Sequence, residues 1–137
     1  MMPTVFSTVA EVWCAKDGSA AVQWAAALPA GKPKEHAMRE FTYQWAKVDS
    51  NQSTQWLNSL PKNADRWAAT EGFVYATFDT DPDSALVWAR SIPEKEKRLE
   101  VLSGAWGKWR YNNSQSATDW LEHVEINSEE REAIESR

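Results

Sequence analysis

Small or apolar residues recur at i, i+3, i+4 and i+7 four times along the chain, with 32 residues between successive sets. The sets are Ala21, Trp24, Ala25, Leu28; Ser53, Trp56, Leu57, Leu60; Ala85, Trp88, Ala89, Ile92; and Ala117, Trp120, Leu121, Val124. Each is an apolar stripe on a helix, here helix B. Four residues ahead of each stand Asp17, Asp49, Asp81 and Asn113, short acceptors suited to the free N–H groups of a helix start. Pro82 adds a first-turn proline in the third set, and Pro29, Pro61 and Pro93 stop the first three helices.

A second stripe precedes each cap, clearest as Ala37, Phe41, Trp45 and Val48. Its counterparts are Val5, Val9, Trp13; Ala69, Phe73, Thr77; and Val101, Ala105, Trp109. These predict helix A of each unit, starting at Asn63 and Asn127 as caps, with Gly31 and Lys95 at the corresponding places and entry into the first at about Thr4. Val74, Tyr75, Thr77 and Phe78 have strand propensity, and register alone assigns that stretch to a helix.

Two-helix units of this length cannot bury their stripes alone, so they must stack. The predicted fold is all-α: one domain over 1–137, a right-handed α-solenoid of repeats at about 1–30, 31–62, 63–94 and 95–126, with a capping helix over 127–137. Seven of the nine tryptophans fall in register, at 13, 45 and 109 in helix A and at 24, 56, 88 and 120 in helix B, and are expected in the core. Trp67 and Trp106 break register.

The segment "YQWAKVDSNQSTQWLNSLP" resembles the middle of a tetratricopeptide repeat: an aromatic late in helix A, a short polar turn, a small residue, a large aromatic in helix B, and a terminal proline. The resemblance is one of pattern over residues 4–124; the period is shorter and the tryptophan-leucine-glycine signature is absent. It implies a binding scaffold whose groove is lined by successive A helices. Carried onto this chain, the groove positions are Glu35, Met38, Arg39 and Thr42; Trp67, Thr70, Glu71, Val74 and Phe78; and Leu99, Leu102, Ser103, Trp106 and Arg110. The family's basic, asparagine-containing carboxylate clamp has no counterpart there, which favours an apolar or aromatic-anchored ligand. The other reading of the fourth A helix, apolar at Leu99, Val101, Leu102, Ala105, Trp106 and Trp109, is a central helix covered by the superhelix or a homodimer.

The chain has 42 % apolar residues and a net charge of −5. Residues 1–110 balance 13 bases with 13 acids, so the excess sits in 111–137, with 2 bases and 7 acids, as a solvated terminal helix. Without a basic stripe, neither nucleic acid nor an anionic membrane is an expected partner. No membrane span or signal segment is evident, so a cytoplasmic protein is expected, or an exported one had a signal been removed.

Chemistry-bearing patterns are thin. Asp79, Asp81 and Asp83 have calcium-loop spacing, but Ser84 and Arg90 stand where the loop needs glycine and glutamate, and helix capping explains the cluster. His36 and His123 lack paired zinc spacing, and the single Cys14 beside Trp13 reads as packed. No catalytic residue, metal or cofactor is expected. The chain is expected as a monomer or homodimer, and three functions compete: a non-enzymatic scaffold binding a peptide or helix of a partner protein through the A-helix groove; a structural or oligomerising helical-repeat segment of a larger protein; and an enzyme pairing Glu71 with Arg39 or Arg110.

Overall fold

Residues 5–136 are described by the computed structural model. The described residues form eight α-helices and no strand. These are α1 (Val5–Ala26), α2 (Lys32–Val48), α3 (Ser50–Ser59), α4 (Ala64–Thr77), α5 (Pro82–Arg90), α6 (Lys95–Asn112), α7 (Ser114–His123) and α8 (Ser128–Glu135). The fold is all-α, and the β-prone residues from Val74 to Thr77 are helical. Entry at Thr4 lies outside the described residues. The chain divides into two compact units, one running to Ala76 and the other from Thr77.

One turn is built four times. Asp17 interrupts α1 at φ −156°, ψ 81°, so that α1 is two helices joined through one residue. Asp49 (−149°, 88°), Asp81 (−145°, 73°) and Asn113 (−152°, 83°) have the same conformation. Their side chains accept from the backbone N–H three residues on, in Ala20, Gln52, Ser84 and Ser116, at 3.1, 3.1, 3.3 and 3.1 Å. The N–H groups of Asp49, Asp81 and Asn113 each close the preceding helix at 2.7 Å, on Trp45, Thr77 and Trp109. One residue thus ends helix A and starts helix B, satisfying free groups of both.

The A-helix starts follow the sequence with one shift. Asn127 caps α8 in a reciprocal capping box with Glu130, and Asn63 accepts from the Asp65 N–H at 3.0 Å. Gly31 caps α2 at φ 140°, a conformation that favours glycine, ahead of Pro33 in the first turn. The cap of α6 is Glu94 rather than Lys95, which is already helical. An arginine near each of three helix starts also reaches back to the end of the preceding helix. Arg66 donates to the Leu60 carbonyl at 2.9 Å, Arg98 to Ile92 at 2.7 Å, and Arg131 to Leu121 and Val124 at 3.2 and 3.4 Å. These cations meet the carbonyls that proline or chain reversal leaves open.

In the first unit α2 packs on α1 and α3. It also meets α4 so closely that a Cβ on Gly72 would lie 2.2 Å from the Arg39 carbonyl oxygen. Lys34 and Asp65 pair across the same two helices at 2.8 Å. In the second unit α6 touches α5, α7 and α8. It buries Val101, Leu102, Ala105, Trp106 and Trp109.

The in-register tryptophans are not all core. Trp45 and Trp109 are buried, Trp13, Trp56, Trp88 and Trp120 are half-buried, and Trp24 is 45 % exposed. The middle of each stripe is held by other residues: Ala21, Ser53, Ala85 and Ala117, with Ala25, Leu57 and Ala89, are fully or almost fully buried, and all but Leu57 are small. The wide helix B indoles lie along the edge of that stripe and stack on the helix A indoles. The ring pairs Trp13–Trp24, Trp45–Trp56 and Trp109–Trp120 are 5.9, 6.3 and 5.9 Å apart.

Candidate functional site

Ten of the fourteen groove positions, Met38, Arg39, Trp67, Thr70, Val74, Phe78, Leu99, Leu102, Trp106 and Arg110, are the protein-binding candidates of the sequence, and they divide by burial. Met38, Thr70, Val74, Phe78, Leu102 and Trp106 are buried. Arg39, Trp67, Leu99 and Arg110 keep accessible surface. Helix rotation accounts for the division: α2, α4 and α6 carry apolar residues on more than one side, and each buries more than one side against its neighbours.

In the first unit the accessible candidates are Trp67 and Arg39. Trp67 is half-buried at the start of α4, with the Arg66 guanidinium 5.7 Å from its ring centre. That guanidinium is anchored at the Leu60 carbonyl, so the indole is backed by a fixed positive group. Arg39 pairs with Glu71 at 3.1 Å across α2 and α4. The acid and base that an enzyme reading would use are thus engaged with each other.

In the second unit Trp106 is 6 % exposed, and its indole N–H donates to the Ala117 carbonyl at 3.0 Å. It joins α6 to α7 and turns no polar atom toward a ligand. Phe78 is buried on the rings of Trp109 and Trp120, at 5.9 and 5.0 Å. α6 is a central helix of its unit, covered by α7 and α8 of the same chain. Arg110 is exposed over the Trp106 ring at 5.9 Å. Leu99 lines an open depression of about 380 Å³ with Lys95, Glu129, Glu132, Ala133 and Ser136, and Lys95 is ion-paired there with Glu129.

No family model, no curated protein and no solved structure matches the chain.

The remaining chemical candidates are all placed. Cys14 is buried and donates to the Phe41 carbonyl at 3.4 Å; burial first, then the Glu40 charge, pushes its thiol up to about 12, so almost no thiolate forms at neutral pH. Asp81 spends a carboxylate oxygen on the α5 cap. His36 and His123 are exposed on α2 and α7, with His123 Nδ1 2.8 Å from the Asp119 carbonyl of its own helix. Among the described residues no group of three His, Cys, Asp or Glu side chains is placed to hold a metal ion. None of their helices is long and apolar enough to cross a membrane.

Sequence reasoning missed a linked pair in the second unit. Arg90 makes two bonds to Glu130, Nε to Oε2 at 2.9 Å and Nη2 to Oε1 at 2.7 Å, tying α5 to α8. Its signal was available as a break in register. Arg66 and Arg98 stand 32 apart, and the next such position holds Glu130, with the carbonyl-capping role passed to Arg131.

Proposed function

We propose that the chain is a non-enzymatic protein-binding scaffold of the tetratricopeptide-like kind, a solenoid of tandem helix pairs that holds a peptide or helix of a partner protein against its A helices. The observation that carries this reading is the recurrence of one capped, one-residue turn at Asp17, Asp49, Asp81 and Asn113, which supports repeated helix pairs of a single design. In such repeats a narrow seam does the stacking, and the other A-helix positions are free to vary for a ligand. Trp67, half-buried and backed by Arg66, is the accessible side chain that fits the apolar or aromatic anchor of a ligand.

The test uses the immobilised full chain, partners captured on it, and a Trp67→Ala variant of unchanged helicity. The expected loss is about 2 kcal/mol, or roughly 30-fold in affinity, as for an aromatic hot spot. Equal capture by both proteins removes the reading. The burial of Met38, Thr70, Val74, Phe78, Leu102 and Trp106 favours the second reading, a structural helical-repeat segment whose A helices pack within the chain.

A further inference from the structure

The four one-residue turns differ in the residue that follows them. Asp49 precedes Ser50, Asp81 precedes Pro82 and Asn113 precedes Ser114, whereas Asp17 precedes Gly18. No other aspartate of the chain stands before a glycine. Packing sets that glycine. A Cβ on Gly18 would lie 2.1 Å from Cδ1 and 2.2 Å from Nε1 of Trp45, so the indole rests on bare backbone where helix B begins. Gly18 is buried beneath the ring, and Asp17 beside it is exposed.

An aspartate before glycine carries an electrophile and a nucleophile side by side. The backbone nitrogen of the next residue can attack the side-chain carboxyl carbon, and a glycine has no Cβ to hinder the approach. Ser50 hinders the same attack at Asp49, and Pro82 leaves Asp81 without an N–H to react. In the closed fold two contacts restrain the Asp17–Gly18 pair. The Asp17 carboxylate accepts from the Ala20 N–H at 3.1 Å, and the buried Trp45 indole covers Gly18.

We propose that the Asp17–Gly18 peptide is a site of spontaneous backbone isomerisation, gated by the Trp45 indole. When the first helix pair opens locally, the Gly18 nitrogen bonds to the Asp17 carboxyl carbon. The nitrogen's proton and the carboxyl hydroxyl leave as water, and a five-membered imide closes. Water then adds at one of its two carbonyls. Addition at the side-chain carbonyl breaks the new bond and restores aspartate. Addition at the main-chain carbonyl breaks the original peptide bond and leaves Gly18 joined through the side chain, as isoaspartate. One water is released and one is consumed, and no other reactant is needed. The product carries an additional methylene in the main chain of a turn made of a single residue. Its carboxylate leaves the Ala20 N–H, and Gly18 shifts beneath a ring that has no room for a further atom. The change therefore loosens α1 against α2, and the loosened pair is the reactive form. The site involves neither Trp67 nor Arg66, so it stands or falls apart from the scaffold reading.

The full chain, incubated for weeks near neutral pH, is mapped by mass spectrometry with electron-transfer fragmentation, which separates isoaspartate from aspartate. Isoaspartate is expected at residue 17 and at no other aspartate. A synthetic peptide of residues 12–23, which has no gate, should isomerise about 10-fold faster or more. Trp45→Ala should raise the rate in the full chain about 10-fold or more by favouring the open form. If that variant loses helicity, Trp45→Phe, which leaves a smaller ring over Gly18, takes its place and should raise the rate by a smaller factor. A full chain free of isoaspartate while the peptide forms it overturns the proposal. So does an equal rate in chain and peptide, a rate indifferent to the change at Trp45, or isoaspartate forming as fast at another aspartate.

Discussion

Gly72 shows how one atom sets a helix distance. The Arg39 carbonyl lies where its Cβ would stand, and a backbone oxygen cannot swing aside as a side chain can. Gly72→Ala should therefore force α2 and α4 apart at a cost of about 3 kcal/mol, read as a lower midpoint in urea unfolding. A change below about 0.5 kcal/mol would show that the helices do not approach this closely. The tryptophans provide the paired comparison. Trp45→Ala removes a buried indole and should cost about 3 to 5 kcal/mol, while Trp24→Ala, starting 45 % exposed, should cost about half as much or less. Composition and spacing place both residues on one apolar stripe each, but they cannot tell the middle of a seam from its edge. That depends on the neighbours: Ala21 and Ala25 of the same stripe are fully buried, and the Trp24 indole is left 45 % exposed beside them.

At the scale of elements, the sequence was most informative where chemistry is local. A cap residue bonds to an N–H three positions away, and the four cap positions read from the sequence are the four caps in the structure. Asp49→Ala should cost about 1 kcal/mol, since it frees the Gln52 N–H, and Asp49→Asn should restore most of it; thermal melts of the two variants separate these outcomes. The opposite helix ends were less legible. Arg66 and Arg98 reach the carbonyls of Leu60 and Ile92 six residues upstream, a bond that exists only once the chain has reversed direction. The A-helix candidates failed to divide in the sequence for a related reason. Trp106 and Trp67 both break register, but the first is held by the Ala117 carbonyl on α7 and the second is half-open beside Arg66. Burial is a property of neighbours, and no spacing along α4 or α6 reports it.

For the molecule as a whole, the acidic end is where charge and stability meet. The net charge of −5 reads as a solvated terminal helix, and Glu129, Glu132 and Glu135 are exposed in that way. Glu130 is not: it is buried, takes both Arg90 bonds and closes the α8 capping box. Hydrogen bonds from Arg90 hold its carboxyl below the ordinary value against the opposing effect of burial, with the Asn127 N–H and the charges of Arg90 and Arg98 adding to the same side. A carboxyl lowered in the folded state contributes stability that is fully present above its unfolded pKa, near 4.5, and lost as pH falls through the folded value. The chain should therefore lose stability on acidification below about pH 4.5, beyond the gradual loss from its exposed acids. Glu130→Gln should be less stable than the parent at pH 7 and show a shallower fall between about pH 5 and 3, so that the two stability curves converge in acid. Arg90→Met should lower stability at pH 7 and flatten the same curve, because it removes the group that lowers the carboxyl pKa. Parallel curves for parent and both variants would mean that α5 and α8 are not joined by this pair in solution, and that apolar contacts such as that of buried Ile134 hold α8 alone.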